Sequence, residues 1–532
     1  MKTPIRQILM LAACGMLLMT SCVKDEFNMD NTKIPGWEPN FAAPLINTRL
    51  TIWDILNDQD STDIVVEDET NFLYLVYKSR VYSQSAEELI TIPDQSANAA
   101  DVLNTGGPVA PGDSFVTSFT YHYDFNFPSS QVIDSLFLKG GNMNMSINTS
   151  FNMPAKVELT LPGSKNGGPF KETINMAGPN ANHNVNLNNT KLLFHHSGGN
   201  NRLQMDFRIV LYGDGSANLS PYSVAVSNSF TDVQFRAMFG YLGQLNFALS
   251  EDTVSIKLYD NNVQGIVNWE DPRIYLYVTN YLGMPVELNI NYLEAVRTKT
   301  PTSSVQITGP GIPSPWNILY PNFSQIGQGI RTDLLLDKTN SNVNIAFNIS
   351  PQRVNALVDA MSNPGGYSQN FTFDTSRFMV DALVELPMHG TAHDFVIVDT
   401  IDIDLGEDFE EVENIEWVLF KIYAENGFPV DAKLQVYFTD ENHIIVDSLI
   451  APPQQFVFAA TPGPAPDYIV TQPYTKTITT TIHKERLLEY HRIKYAIVRA
   501  EMNTFNNATQ IVKIYSYYNL HIMLGAQVQL KF

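Results

Sequence analysis

Residues 271–292 alternate apolar and polar side chains on both sides of a single turn, a pattern few folds accept. Ile274, Leu276 and Val278 alternate with Tyr275, Tyr277 and Thr279. After a turn through Asn280–Gly283 and then Met284-Pro285, Leu288, Ile290 and Tyr292 alternate with Glu287, Asn289 and Asn291. Successive side chains on a strand point to opposite faces, so each run buries one face and wets the other. A glycine-containing turn between two such runs predicts a β-hairpin. Pro285 suits the start of a returning strand, because proline lacks an N–H and holds the residue before it extended.

The pattern recurs twice. Met143, Met145 and Ile147 lead into Met153-Pro154, then Val157, Leu159 and Leu161. Val418, Phe420 and Ile422 lead into Phe428-Pro429, then Ala432, Leu434 and Val436. In all three, the last apolar residue before the turn stands seven positions before the proline. The prolines are 131 and 144 residues apart, a domain-sized period. This predicts an all-β chain of serial antiparallel β-sandwich-like domains with very little helix. A strand, an Asn or Gly turn, a proline and a returning strand resemble the late-embryogenesis-type β-sandwich, which implies two facing sheets per unit.

The segments follow: 1–21 a signal peptide, 22–36 an acidic tether, 37–110 an N-terminal β region, and β units over 111–235, 236–375 and 376–532. One helix is expected, over 350–361. Ser350 stands at the N-cap and Pro351 at the first turn, Val354, Leu357, Val358 and Met361 share a face, and Asn363-Pro364-Gly365-Gly366 stops it. The run 513–532 alternates and reads as the closing strand of the last unit.

Lys2 and Arg6 precede an apolar core too short to span a bilayer. It ends at Met19-Thr20-Ser21-Cys22, which resembles the lipobox of bacterial lipoproteins and implies lipidation of Cys22. Leu11-Ala12-Ala13-Cys14 also matches, but would leave only a stub of apolar core. Lys24, Asp25 and Glu26 resemble the export signal of Bacteroidetes lipoproteins displayed on the outer face of the outer membrane. The opening Pro39-Asn40-Phe41-Ala42-Ala43-Pro44-Leu45-Ile46-Asn47 is similar to those of large, uncharacterised outer-membrane lipoproteins of the same group. That resemblance implies location and β-architecture, and no activity.

Cys14 and Cys22 are the only cysteines, so a chain cleaved before Cys22 has no disulfide and depends on its cores. Loss of Lys2 and Arg6 takes the formal charge from −22 to −24, which disfavours nucleic acid and anionic lipid.

Candidate chemistry is sparse. His389 and His393 have zinc-like spacing, but Pro387, Gly390 and Thr391 point to a loop, where the two rings need not meet. His195 and His196 are adjacent and would face opposite sides of a strand. Asp402, Asp404, Glu407, Asp408, Glu410, Glu411 and Glu413 lack the spacing of a calcium loop and read as a solvated turn. Trp316, in a Gly/Pro-rich loop, is the best candidate for an exposed aromatic, and the Asn-rich stretch 178–189 could bond hydroxyls, but the five Trp and 24 Tyr read better as core and strand residues. No nucleophile elbow, phosphate loop or dinucleotide fingerprint occurs. Neither catalytic residue, metal nor cofactor is assigned.

The expected function is therefore a non-catalytic, lipid-anchored surface protein of the outer membrane, either adhesin-like or an accessory subunit of a membrane complex. Its partners would be the membrane, reached through the lipid, and an outer-membrane protein or a glycan. The alternatives are glycan capture in polysaccharide uptake, and a glycoside hydrolase whose two carboxylates lie far apart in sequence.

Overall fold

A computed structural model describes residues 38–53, 65–197, 199–214, 221–247, 252–259, 262–402, 414–449 and 454–531. Cys22, Lys24, Asp25 and Glu26 lie outside them, as do the acidic stretch beyond Asp402 and the C-terminal Phe532. The described chain is all-β, built of antiparallel sheets. None of its helices is long and apolar enough to cross a membrane.

The three proline turns join strands, but none makes a hairpin. Strand Arg273–Asn280 pairs with Ile330–Leu336 and Arg377–Pro387 in a five-stranded sheet. Val286–Arg297, just past the turn, pairs with Ser303–Gln306, Trp316–Ile318 and Arg353–Ser362 in a separate six-stranded sheet. Likewise Ile415–Asn426 lies in a four-stranded sheet and Val430–Thr439 in a seven-stranded one. Val132–Thr149 and Ala155–Lys165 share one large sheet without pairing with each other. The second and third turns are arches that cross from one sheet to another, and the first spans between non-adjacent strands of one sheet. Alternation says only that a strand buries one face, which holds whether the next strand lies beside it or across the core.

Buried asparagines close the two arches. Asn280 accepts from the Leu282 amide at 2.8 Å and donates to the Met284 carbonyl at 3.3 Å. Asn426 accepts from the Phe428 amide at 2.9 Å and donates to the carbonyls of Val430 and Phe458, both at 2.8 Å. In the first turn the Thr149 hydroxyl takes that place, donating to Phe151 and Pro179 carbonyls at 3.2 and 3.1 Å. These groups satisfy backbone that burial would otherwise leave unpaired.

Three bodies result. The first is an eleven-stranded sheet around long strands Val132–Thr149 and Tyr222–Tyr241. The second packs the five-stranded sheet on the six-stranded one, with Ile274, Leu276, Leu288, Val354 and Val380 around an apolar gap of about 30 Å³. The third packs the four-stranded sheet on the seven-stranded one through Val418, Phe420, Phe438 and Ala526. The cores of the first two bodies form one continuous cluster.

The bodies are not consecutive segments of chain. Residues 37–110 serve all three: Asn40–Thr51 pairs with Asn519–Leu530 in the third, Leu73–Ser85 joins the second, and Gln95–Leu103 joins the first. Asn262–Trp269 belongs to the third body, and Arg377–Pro387 to the second. Boundaries drawn near 236 and 376 therefore cut through sheets. The C-terminal strand is central, flanked by Asn40–Thr51 and Ile415–Asn426, rather than closing.

The helix expected over 350–361 is a strand, Arg353–Ser362, paired with Val286–Arg297 and Asp252–Ser255. Val354, Ala356, Val358 and Ala360 also alternate, so this stretch carries both periods. Two flanking strands supply ladder hydrogen bonds and a core face that a lone helix would lack. Ser350, expected as an N-cap, has φ +55°.

Replacing Asn426 by Ala should destabilise the protein by about 2–3 kcal/mol, since it strands buried backbone partners. Urea unfolding would read this, and a curve matching wild type would remove the arch asparagine from the account.

Candidate functional site

Strand Arg273–Asn280 begins in a polar cleft between the second and third bodies. The turn before Leu73–Ser85 brings Asp68 and Phe72, and the start of His389–Asp402 brings His389. Lys513 and Tyr515 come from near the C-terminus, and a loop adds Asp467 and Ile469. The cleft holds about 470 Å³. Asp68 stands in the turn of a hairpin in which Val65–Glu67 pairs with Leu73–Ser85.

Asp68, Asp271 and Arg273 are held in partnered sets. Asp68 Oδ1 accepts from the Thr70 amide at 2.8 Å, the Thr70 hydroxyl at 2.6 Å and the Phe72 amide at 3.1 Å, while the Tyr74 hydroxyl donates to Oδ2 at 3.0 Å. Burial pushes this carboxyl up, but those four donors together outweigh it and hold it below the ordinary value. Tyr74 is pushed up to about 12, by burial first and then by Asp68. Arg273 bonds Glu385 through Nη1 at 2.8 Å and Asp271 through Nε at 3.1 Å. Burial opposes its charge, yet the two carboxylates raise its pKa.

The aromatic side of the cleft is continuous. The Phe72 ring lies 5.0 Å from Tyr74 and 5.8 Å from Tyr515, with the Lys513 ammonium 5.2 Å from its centre. Tyr515 donates to the Asp467 carbonyl at 2.7 Å, which fixes the loop at the rim. His389 packs against Tyr468 at 5.7 Å, and its Nε2 is buried with no hydrogen-bond partner. Burial, and then the Lys513 cation, push its pKa down.

The residues singled out in sequence are mostly dispersed. His389 and His393 lie on a strand rather than a loop, with His389 in the cleft and His393 Nδ1 3.0 Å from Asp394. His196 Nε2 is 2.9 Å from Asp134 Oδ1. Among the described residues no three His, Cys, Asp or Glu side chains gather as a ligand set. Of the acidic stretch only Asp402 is described, and it is exposed. Trp316, the best candidate for an exposed aromatic, instead follows the preferred core reading at 7% exposed, because its loop feeds a strand of the second body and its ring joins that core. The tyrosines of the central pattern lie outside the core: Tyr275 and Tyr277 stack at 5.8 Å under the Arg331 guanidinium, 3.7 Å from Tyr277.

The cleft itself was missed. Its residues run from Asp68 to Tyr515, and sheet pairing between distant strands assembles them. The one local signal, Asp68 opening a turn, reads as turn chemistry.

No family model matches the chain, and no curated protein does. Among solved structures, a protein of Parabacteroides distasonis ATCC 8503 assigned as secreted aligns over 92% of this chain and 99% of its own, at 11% identity and TM-score 0.27. The infectious bursal disease virus VP2 subviral particle aligns over 84% and 81%, at 8% identity and TM-score 0.12. A triple jelly roll protein of an archaeal virus covers 85% and 95%, at 10% and 0.11. At such scores the description of the fold rests on the sheets themselves.

His389 gives a pH test. A depressed folded pKa means that its contribution to stability is whole above the unfolded value, about 6.5, and falls as pH drops through the folded one. Melting temperature should fall more between pH 7.5 and 5.5 in wild type than in His389→Gln. Equal falls in both proteins would show that His389 does not titrate on unfolding.

Proposed function

We propose that this chain is a non-catalytic, lipid-anchored surface protein of the outer membrane, and that the cleft between its second and third bodies is where it binds. The carrying observation is the state of the cleft's charged groups. Glycosidic acid–base chemistry wants one carboxyl held protonated near neutral pH beside an ionised one. Asp68 is instead held down by four donors, and Asp271 is tied to Arg273. Groups already fixed in this way offer a shaped, pre-organised surface. The hydrolase alternative gains no support from the cleft.

The anchor rests on the lipobox-like Cys22, and outward display on the Lys24-Asp25-Glu26 signal. The partner that fits is a protein segment carrying both polar and apolar groups, met by the ion-paired side chains of the cleft and the rim at Ile469, which is 41% exposed, above a floor of buried Phe72 and Tyr515. Glycan capture is the second reading, favoured by the half-buried Tyr74 ring that lines the same cleft. Trp316 no longer contributes to it.

Two measurements test the proposal. Cys22→Ser should abolish incorporation of labelled palmitate and release the protein from the membrane fraction. Continued incorporation would refute lipidation there. A photo-crosslinking residue at position 469 should capture one membrane protein in whole cells, and Lys513→Glu, at a half-buried position of the cleft, should reduce capture at least fivefold. Capture that ignores Lys513 would refute cleft binding. Absent capture, together with Lys513-dependent binding of oligosaccharides, would transfer the site to glycans.

A further inference from the structure

The far end of strand Arg273–Asn280 meets a surface unlike the rest of this acidic molecule. Residues 300–330 contain no Asp, Glu, Lys or Arg, although 17% of the chain is charged. At that frequency about 3 in 1,000 windows of this length are charge-free. Three more uncharged stretches, 237–247, 274–286 and 360–373, meet it in space. Gly240 pairs with Asn370, Gly283 with Phe371, and Asn280 with Ile330. Asn363 donates to the Gly243 carbonyl at 2.7 Å. Four separate stretches, each uncharged along its length, thus meet at one end of a chain of net charge −22, bordered by the exposed Arg377, whose carbonyl accepts from the Tyr281 amide at 2.9 Å.

That end is apolar at its tips. Leu319, Tyr320, Phe323 and Ile326, on the loop between Trp316–Ile318 and Ile330–Leu336, and Tyr367 on the neighbouring loop are each 42 to 62% exposed. The loops are braced. Phe323 packs on Phe371 at 5.1 Å and Tyr367 on Tyr241 at 5.2 Å. Gly283 lies so close under Phe371 that a Cβ there would fall 2.4 Å from the ring. Much of the loop's backbone is bonded within the protein: Leu319 N to Thr332 Oγ1 at 2.9 Å, Asn322 N to Gln325 Oε1 at 3.1 Å, Ser324 N to Asn322 Oδ1 at 2.9 Å, and Gln328 N to the Gln325 carbonyl at 2.9 Å. Arg331, the first charge after the run, is paired with Asp333 at 2.5 Å.

We infer that this end is a membrane-contact surface that rests in the headgroup layer of an electrically neutral, zwitterionic bilayer. Aliphatic tips flanked by tyrosines suit the boundary between headgroups and acyl chains, where amphipathic rings concentrate. Bonded loop backbone lowers the cost of leaving bulk water. Neutrality follows from charge: an anionic surface would repel the acidic body behind the patch. The cleft begins seven residues away along Arg273–Asn280, about 24 Å at the rise of a strand, so this contact would hold the cleft off the membrane.

The test uses the full chain carrying Cys22→Ser, so that no acyl chain takes part and failure of the lipidation reading leaves the result intact. The protein should float with vesicles of phosphatidylcholine and phosphatidylethanolamine. L319D/I326D should lower the bound fraction at least tenfold, and Ile444→Asp, at an exposed site in the third body, should leave it unchanged. Tyr320→Trp fluorescence should shift to the blue with the same vesicles, a readout that needs no destabilising variant. Lack of flotation, flotation indifferent to L319D/I326D, or stronger binding to phosphatidylglycerol vesicles would overturn the inference. So would a dimer that L319D/I326D dissolves while vesicles bind nothing, since a second copy would then cover the patch.

Discussion

Crossing from one sheet to its partner is the constraint on which this structure depends. Facing sheets stand about 10 Å apart, and a chain spanning that gap passes through apolar surroundings with its peptide groups exposed to them. Here the crossings at Asn280 and Asn426 are closed by a buried amide that serves as donor and acceptor at once. Proline begins the outgoing limb, where a missing N–H removes one demand. Once the arch is closed, both limbs can bury their alternating faces against each other, and the cores of the second and third bodies follow.

The arch also separates two environments along one strand. At Arg273 the strand carries ion pairs to Asp271 and Glu385 at the mouth of a polar cleft. At Asn280 it enters an end built from four uncharged stretches, braced by aromatic rings and bordered by Arg331 and Arg377. Sandwich loops gather at the two ends of the sheets, so the two ends can be furnished differently without disturbing the core between them. In this chain one end gathers carboxylates and cations in a cleft and the other presents apolar tips.

Non-local closure ties the bodies together. Asn40–Thr51 completes a sheet with Asn519–Leu530, and Leu73–Ser85 completes another with Arg377–Pro387. Apolar packing is continuous from the first body into the second. With no disulfide among the described residues, these pairings and the cores between them supply the cohesion.

Alternation at Ile274, Leu276 and Val278 and its recurrence around Pro154, Pro285 and Pro429 were enough to establish an all-β fold, because period two follows from strand geometry alone. Partner choice was not legible: the same alternation serves a hairpin or an arch, and only the tertiary structure set Val286–Arg297 across the core from Arg273–Asn280. Val354 to Met361 carried helical and strand periods together, and the flanking strands decided between them. Gly and Pro around Trp316 made it the best candidate for exposure, but burial depends on what packs above a residue rather than on its neighbours in sequence. The cleft was invisible for the same reason, since Asp68, Arg273, His389 and Tyr515 meet only through long-range pairing. The charge-free run at 300–330 was readable in the sequence by itself. That it forms one surface with three other stretches was decided by the fold, because contact between distant segments is a property of packing and not of order along the chain.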